Sequence, residues 1–176
     1  MSGAPRQSDR SADPPPVADD DLVLDMEGLD FDQLLADWRW LVDEAYEPVL
    51  LTVLGDLFLQ APDGSIYWLE ASAGRFSRVA DSRAGFRQLL RRSDKVDEWF
   101  DPDLVSALQH RFPDLGPGQC YGYLIPPVVG GRQMPVNMEP TDLYVHFSIL
   151  GQVSSQVRDV PPDSSPRSSV ETAEAE

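Results

Sequence analysis

The stretch Val49-Leu50-Leu51-Thr52-Val53-Leu54-Gly55-Asp56-Leu57-Phe58-Leu59, followed by Ala61-Pro62-Asp63-Gly64 and then Ser65-Ile66-Tyr67-Trp68-Leu69-Glu70, decides the fold class. The first run is apolar and partly β-branched, interrupted by Gly55-Asp56, and reads as one strand entering a hairpin. Ala61 to Gly64 is a turn, because proline presets φ and glycine permits φ above zero. Ser65 to Glu70 is the return strand. Ser72-Ala73-Gly74 turns the chain again, and Arg75 to Val79 forms a third strand. Three strands in this order make an antiparallel meander.

Helical patterns flank the meander. Phe31, Leu34, Leu35, Trp38, Leu41 and Val42 recur at three- and four-residue spacing, an amphipathic helix with Asp30 as N-cap that stops before Pro48. On such a helix Trp38 and Trp40 lie about 200° apart, so one indole faces the core. After the meander, Asp81 or Ser82 caps a helix through Phe86, Leu89 and Leu90, and a second piece runs from near Asp94 to Trp99-Phe100. A third opens with Asp101 as N-cap and Pro102 at the first helical position, carries Leu104, Val105 and Leu108, and breaks at Pro113 and Gly116-Pro117-Gly118. Cys120 to Ile125 reads as a strand ended by Pro126-Pro127, and Gly130-Gly131 as a tight loop. Thr141 to Val157 fits both an alternating and a helical pattern; its length and the Pro140-Thr141-Asp142 start favour a helix. The expected fold class is therefore α+β, an antiparallel sheet with a three-strand meander packed by helices.

Charge and composition narrow the function. The 176 residues carry a formal charge of -16, with net charges of -6 over 1–30, -6 over 31–158 and -4 over 159–176. A phosphate backbone needs neutralising bases, so this balance argues against a nucleic-acid partner and favours a basic protein partner, or solubility. Proline-rich, acidic ends bury little, so residues 1–28 and 159–176 are expected to be disordered tails around a single domain at 29–158. No run reaches the roughly 18 apolar residues of a membrane helix, and Met1 to Asp21 lacks the apolar stretch of a signal peptide, which together point to the cytoplasm. Cys120 is the only cysteine, and His110 and His146 are the only histidines. Neither a disulfide nor a zinc cluster follows from that inventory, and no cofactor is expected.

Further phrases carry a family resemblance. Thr52 to Leu59 with Asp63-Gly64-Ser65-Ile66-Tyr67-Trp68-Leu69, then Cys120-Tyr121-Gly122-Tyr123 with Pro126-Pro127 and Gly130-Gly131, then Asp142-Leu143-Tyr144-Val145-His146-Phe147-Ser148-Ile149-Leu150-Gly151-Gln152, occur in an order that resembles the C-terminal domain family of type VI secretion immunity proteins. The resemblance runs from about Leu29 to Val157. It implies a protein that binds a cognate bacterial toxin, in known cases a DNA-degrading effector, and blocks it without catalysing a reaction. Members often carry an additional N-terminal domain; here a proline-rich acidic segment precedes the first helix. The alternative is a non-catalytic regulatory or scaffolding module with no toxin partner.

Three constellations are candidate sites. Asp94, Asp97, Glu98, Asp101 and Asp103 surround Trp99 and Phe100; acids ringing an aromatic anchor suit a basic toxin, whose cleft the carboxylates would enter as phosphate mimics. The competing reading puts Trp99 and Phe100 in the core, with the acids as caps and solvated surface. Arg83, Arg87 and Arg91 fall at i, i+4 and i+8, extended by Arg92 and Lys95, a stripe that could hold an anion or simply pair with nearby acids. Cys120, His146 and Asp142 are the only nucleophile, base and orienting acid on offer, yet the surrounding sequence matches no cysteine-enzyme signature. No catalytic residue and no metal site are expected.

Overall fold

The computed structural model describes residues 20–42, 46–112 and 114–158. Four antiparallel strands form the central sheet in the order β1 (Glu47–Leu51), β2 (Leu57–Gln60), β3 (Ile66–Glu70) and β4 (Arg75–Ala80). The expected meander of three strands thus has four. The run Val49 to Leu59 is not one strand, because Thr52 to Asp56 is itself a turn. Gly55 adopts φ 80°, Thr52 N–H donates to the Asp56 carbonyl at 2.9 Å, and Asp56 N–H donates to Thr52 Oγ1 at 3.0 Å. Every residue of the turn is buried, which is why apolar character alone could not mark the break.

Helices cover both faces of the sheet. Successive side chains of a strand point to opposite sides, and here both sides are cores. Phe58, Ile66 and Trp68 face α2 (Arg83–Leu89), α3 (Ser93–Phe100) and α4 (Pro102–Arg111), packing with Phe86, Trp99, Phe100, Leu104, Val105 and Leu108. Leu57, Leu59 and Leu69 face α1 (Phe31–Leu34) and α5 (Leu143–Arg158), packing with Leu34, Trp38, Leu143, Phe147 and Leu150. Leu57, Phe58 and Leu59 are consequently all buried. The α+β class holds, as three layers.

Two local corrections have plain causes. The helix expected over Phe31 to Val42 is capped by Asp30, whose Oδ1 accepts from Gln33 N–H at 3.1 Å, but it is broken. It yields after Leu34 to a 3-10 turn, Ala36–Trp38, that delivers the Trp38 indole N–H to the Phe147 carbonyl at 3.0 Å. That turn lies so close to α5 that a Cβ at Gly151 would meet the Asp37 carbonyl oxygen at 2.7 Å. Trp38 and Trp40 are therefore not on opposite faces of a helix; their rings stack with centroids 6.0 Å apart. The second correction is a strand. β5 (Gln119–Tyr123) pairs antiparallel with β6 (Met138–Asp142), which the proline at position 140 concealed.

Other expectations stand. Ser82 caps α2, Asp101 caps α4 with Pro102 at its first turn, and Thr141 to Val157 is helical in all but its first two residues, with Asp142 Oδ1 accepting from Val145 N–H at 3.0 Å. The ordered fold starts before Leu29. Leu22 is buried, Val23 bridges to Thr52, and Leu24 N–H donates to the Leu51 carbonyl at 2.9 Å. Most of the two expected tails, at residues 1–19 and 159–176, lies outside the described residues.

Candidate functional site

α3 and α4 meet at Asp101, the one non-glycine residue with positive φ (42°) among the described residues. Aspartate tolerates this conformation better than most residues because its short carboxylate bonds locally. Its Oδ1 caps α4 by accepting from Leu104 N–H at 3.2 Å, and its Oδ2 accepts from Gln133 Nε2 at 3.2 Å. The junction turns α3 back so that its indole goes inward. Trp99 is 3% exposed, with its ring centroid 5.2 Å from Phe58, 5.6 Å from Phe86 and 6.4 Å from Trp68. Trp99 is therefore not an exposed anchor: burying an indole among three aromatic rings is worth more than displaying it to water.

The acids remain on the surface with different duties. Asp94 is gripped by the Arg92 guanidinium through bonds of 3.0 and 2.8 Å, which holds its carboxyl below the usual carboxylate range. Glu98 pairs with Lys95, whose ammonium lies 5.6 Å from the Trp99 ring centre. Asp101 is a cap. Asp97 and Asp103 are exposed, and among the described residues neither makes an ion pair. The acid cluster thus presents two uncommitted carboxylates, flanked by three committed ones.

The arginine stripe does not form. α2 ends at Leu89, so Arg91 lies beyond the helix that was to align it with Arg83 and Arg87. Arg92 is held by Asp94, while Arg78 on β4 pairs with Asp81 at 3.0 Å.

Cys120, His146 and Asp142 are likewise not a nucleophilic set. Cys120 is fully buried, and burial, then the charges of Asp142 and Asp56, push its thiol up so that it stays protonated. Asp142 is exposed and serves as the cap of α5. His146 is buried between two glycines: a Cβ on Gly55 would sit 2.3 Å from its Nε2, and one on Gly122 would sit 3.0 Å from its Nδ1. Burial lowers its pKa to about 4, leaving it neutral, and its Nε2 has no hydrogen-bond partner. No hydrogen bond among the described residues joins it to Cys120.

One buried acid escaped the sequence reading. Asp56 accepts from Ala71 N–H at 2.9 Å through Oδ1, yet burial raises its pKa to about 7, with the charge of Glu70 adding to the rise. Trp68 Nε1 is near enough to favour the anion slightly but completes no hydrogen bond. The only signal was a polar residue after glycine inside an apolar run. Among the described residues no group of three or more His, Cys, Asp or Glu could hold a metal ion, and no helix is long and apolar enough to cross a membrane.

The α3–α4 junction thus presents an exposed group of carboxylates, and among the described residues Cys120, His146 and Asp142 are not joined into a reactive set. Residues 80–154 match the family model described as T6SS immunity protein Tdi1, C-terminal. The matched segment spans α2 to α4, the β5–β6 ribbon and most of α5. It contains the acid cluster and two of the phrases on which the resemblance was stated. It leaves the sheet outside, so the resemblance is borne out over its C-terminal part. A search of the curated proteins gives no match.

Proposed function

We propose that this protein is an immunity-type inhibitor that binds a cognate bacterial toxin and occludes its active cleft stoichiometrically. The family match over residues 80–154 carries the reading. The toxin is basic and acts on a polyanion, a nuclease being the case the chemistry favours. Asp97 and Asp103, with Asp94, Glu98 and Asp101 beside them, then occupy the positions of substrate phosphates and steer association. The protein works in the cytoplasm, where an incoming nuclease would find its substrate.

The test is a competition assay in the native strain. A recipient lacking this gene is killed by its parent, and the full chain supplied in trans restores survival. Survival of the unprotected recipient would remove the immunity reading. Asp97→Lys with Asp103→Lys is the informative interface variant, since both positions are exposed and neither caps a helix. It should lose protection, and full protection would dismiss the acid surface. Asp101 is a poor choice for this purpose: its loss removes the α4 cap at a cost of about 1 kcal/mol.

A further inference from the structure

Between β5 and β6 the chain runs through residues 124–137 and exposes five large aliphatic side chains. Leu124 and Ile125 are each 55% exposed, Val129 51%, Met134 42% and Val136 69%. They fall within one stretch of chain, 124–136, and their exposed area sums to on the order of a few hundred Å², the scale of apolar patches that mark interaction sites on soluble proteins.

The loop is built to hold them there. Asn137 pins it: its Oδ1 accepts from Ile125 N–H at 3.0 Å, and its Nδ2 donates to the carbonyls of Ile125 at 2.8 Å and Arg132 at 3.0 Å. Gly131 passes so close to Ile125 that a Cβ there would fall 1.8 Å from the Ile125 carbonyl oxygen. Turns at Pro127–Val129 and Pro135–Asn137 seat the two halves against α5 and α4. Arg111 Nη1 donates to the Pro135 carbonyl at 2.9 Å, and Gln133 reaches Asp101. An apolar surface ordered before binding loses little conformational freedom when a partner arrives.

We infer that residues 124–136 form the apolar centre of the toxin interface, with the α3–α4 acids as its charged flank. The partner surface is basic and carries an apolar recess. This rests on the proposed immunity function and supplies the anchor that Trp99 does not. The Gln133–Asp101 bond joins patch and acids directly, and Glu139, exposed on β6 beside the loop's base, adds a carboxylate. Arg132 and Arg111 are the bases nearby, and Arg111 is turned onto the Phe112 ring and the Pro135 carbonyl. Charge selects against the other occupants. A second copy brings a further -16 against the first. The segments at 1–19 and 159–176 are net acidic and contain no leucine, isoleucine or aromatic residue to fill such a patch.

The probe is the effector whose deletion from the attacker ends killing of the unprotected recipient, purified with its catalytic residue replaced. The full chain carrying Leu124→Ser, Ile125→Ser and Val136→Ser is compared with wild type by calorimetric titration and by protection. These side chains face water, so the melting temperature should stay within a few degrees. We expect at least a thirtyfold weaker Kd and lost protection. Asp32→Lys, on α1 and outside both the loop and the acid cluster, should bind as wild type does. Equal binding by the triple variant overturns the inference while leaving the immunity reading intact. Failure of wild type to bind any effector overturns both. A wild-type dimer in sedimentation that the triple variant abolishes assigns the patch to a second copy and likewise overturns it.

Discussion

Asp56→Asn and His146→Gln, made separately, should tilt the pH dependence of stability in opposite directions. Burial raises the Asp56 carboxyl from 3.8 to about 7, and burial lowers the His146 imidazole from 6.5 to about 4. Near pH 6 both are neutral in the folded protein, whereas the unfolded chain has an ionised aspartate and a largely protonated histidine. For Asp56 the folded pKa is the higher one, so its contribution is fully present below 3.8 and is lost as pH rises through 7. For His146 the folded pKa is the lower one, so its contribution is present above 6.5 and lost as pH falls through 4. Between 4 and 6.5 the folded state holds one proton on Asp56 and the unfolded state holds one on His146. The two slopes, each about 1.4 kcal/mol per pH unit, cancel in the wild type. Because the isoelectric point is near 4.3, the useful window is pH 5 to 7. Over it, Asp56→Asn should gain about 2 kcal/mol relative to wild type as pH rises, and His146→Gln should lose about 2 kcal/mol relative to wild type over the same window. Urea titrations followed by tryptophan fluorescence at half-unit steps measure both. Parallel curves for wild type and Asp56→Asn would refute the argument that burial keeps this carboxyl protonated.

Other outcomes follow from the same packing. Trp99→Ala should destabilise the protein by about 3–5 kcal/mol in urea melts, as expected for removing a buried indole, and any loss of protection should track unfolding. Gly131→Ala should disorder the 124–137 loop, seen as faster amide hydrogen exchange at Ile125 and Asn137, while exchange in β2 and β3 stays slow. Cys120 should resist a thiol reagent at pH 8 in the native protein and react at once in 6 M urea, since its thiol is buried and protonated; Cys120→Ala should retain full protection.

Much of this fold was legible in advance, and the failures share a cause. Caps and turns at Asp30, Ser82, Asp101, Pro62-Asp63-Gly64 and Gly74 act through their own backbone, so local sequence is enough to find them. The Thr52–Asp56 turn was hidden because both faces of the sheet are covered, leaving no polar alternation to show where a strand ends. The Phe31–Val42 periodicity predicts one continuous helix, but the chain breaks after Leu34 into a turn that carries the Trp38 indole to the Phe147 carbonyl, a tertiary contact that local spacing does not show. β6 was missed because Pro140 argued against a strand, although a two-stranded ribbon tolerates it. For the site, the acids were read correctly as exposed, but whether an aromatic among them points in or out is a tertiary fact. The 124–136 loop looked like mere punctuation, since its prolines and glycines give no sign of which way its aliphatic side chains face.

The two-sided sheet also sets an order on biosynthesis. Phe58, Ile66 and Trp68 can be covered once Phe86 to Leu108 have been made, because their partners follow directly in the chain. Leu57, Leu59 and Leu69 have Leu34 and Trp38 already made before them but wait for Leu143, Phe147 and Leu150, translated more than seventy residues later, to complete their cover. A nascent chain stalled before α5 therefore carries a finished half-core on one side and, on the other, a leucine wall covered only by Leu34, Trp38 and their neighbours. Premature termination anywhere upstream of position 143 should yield a chaperone client prone to aggregate.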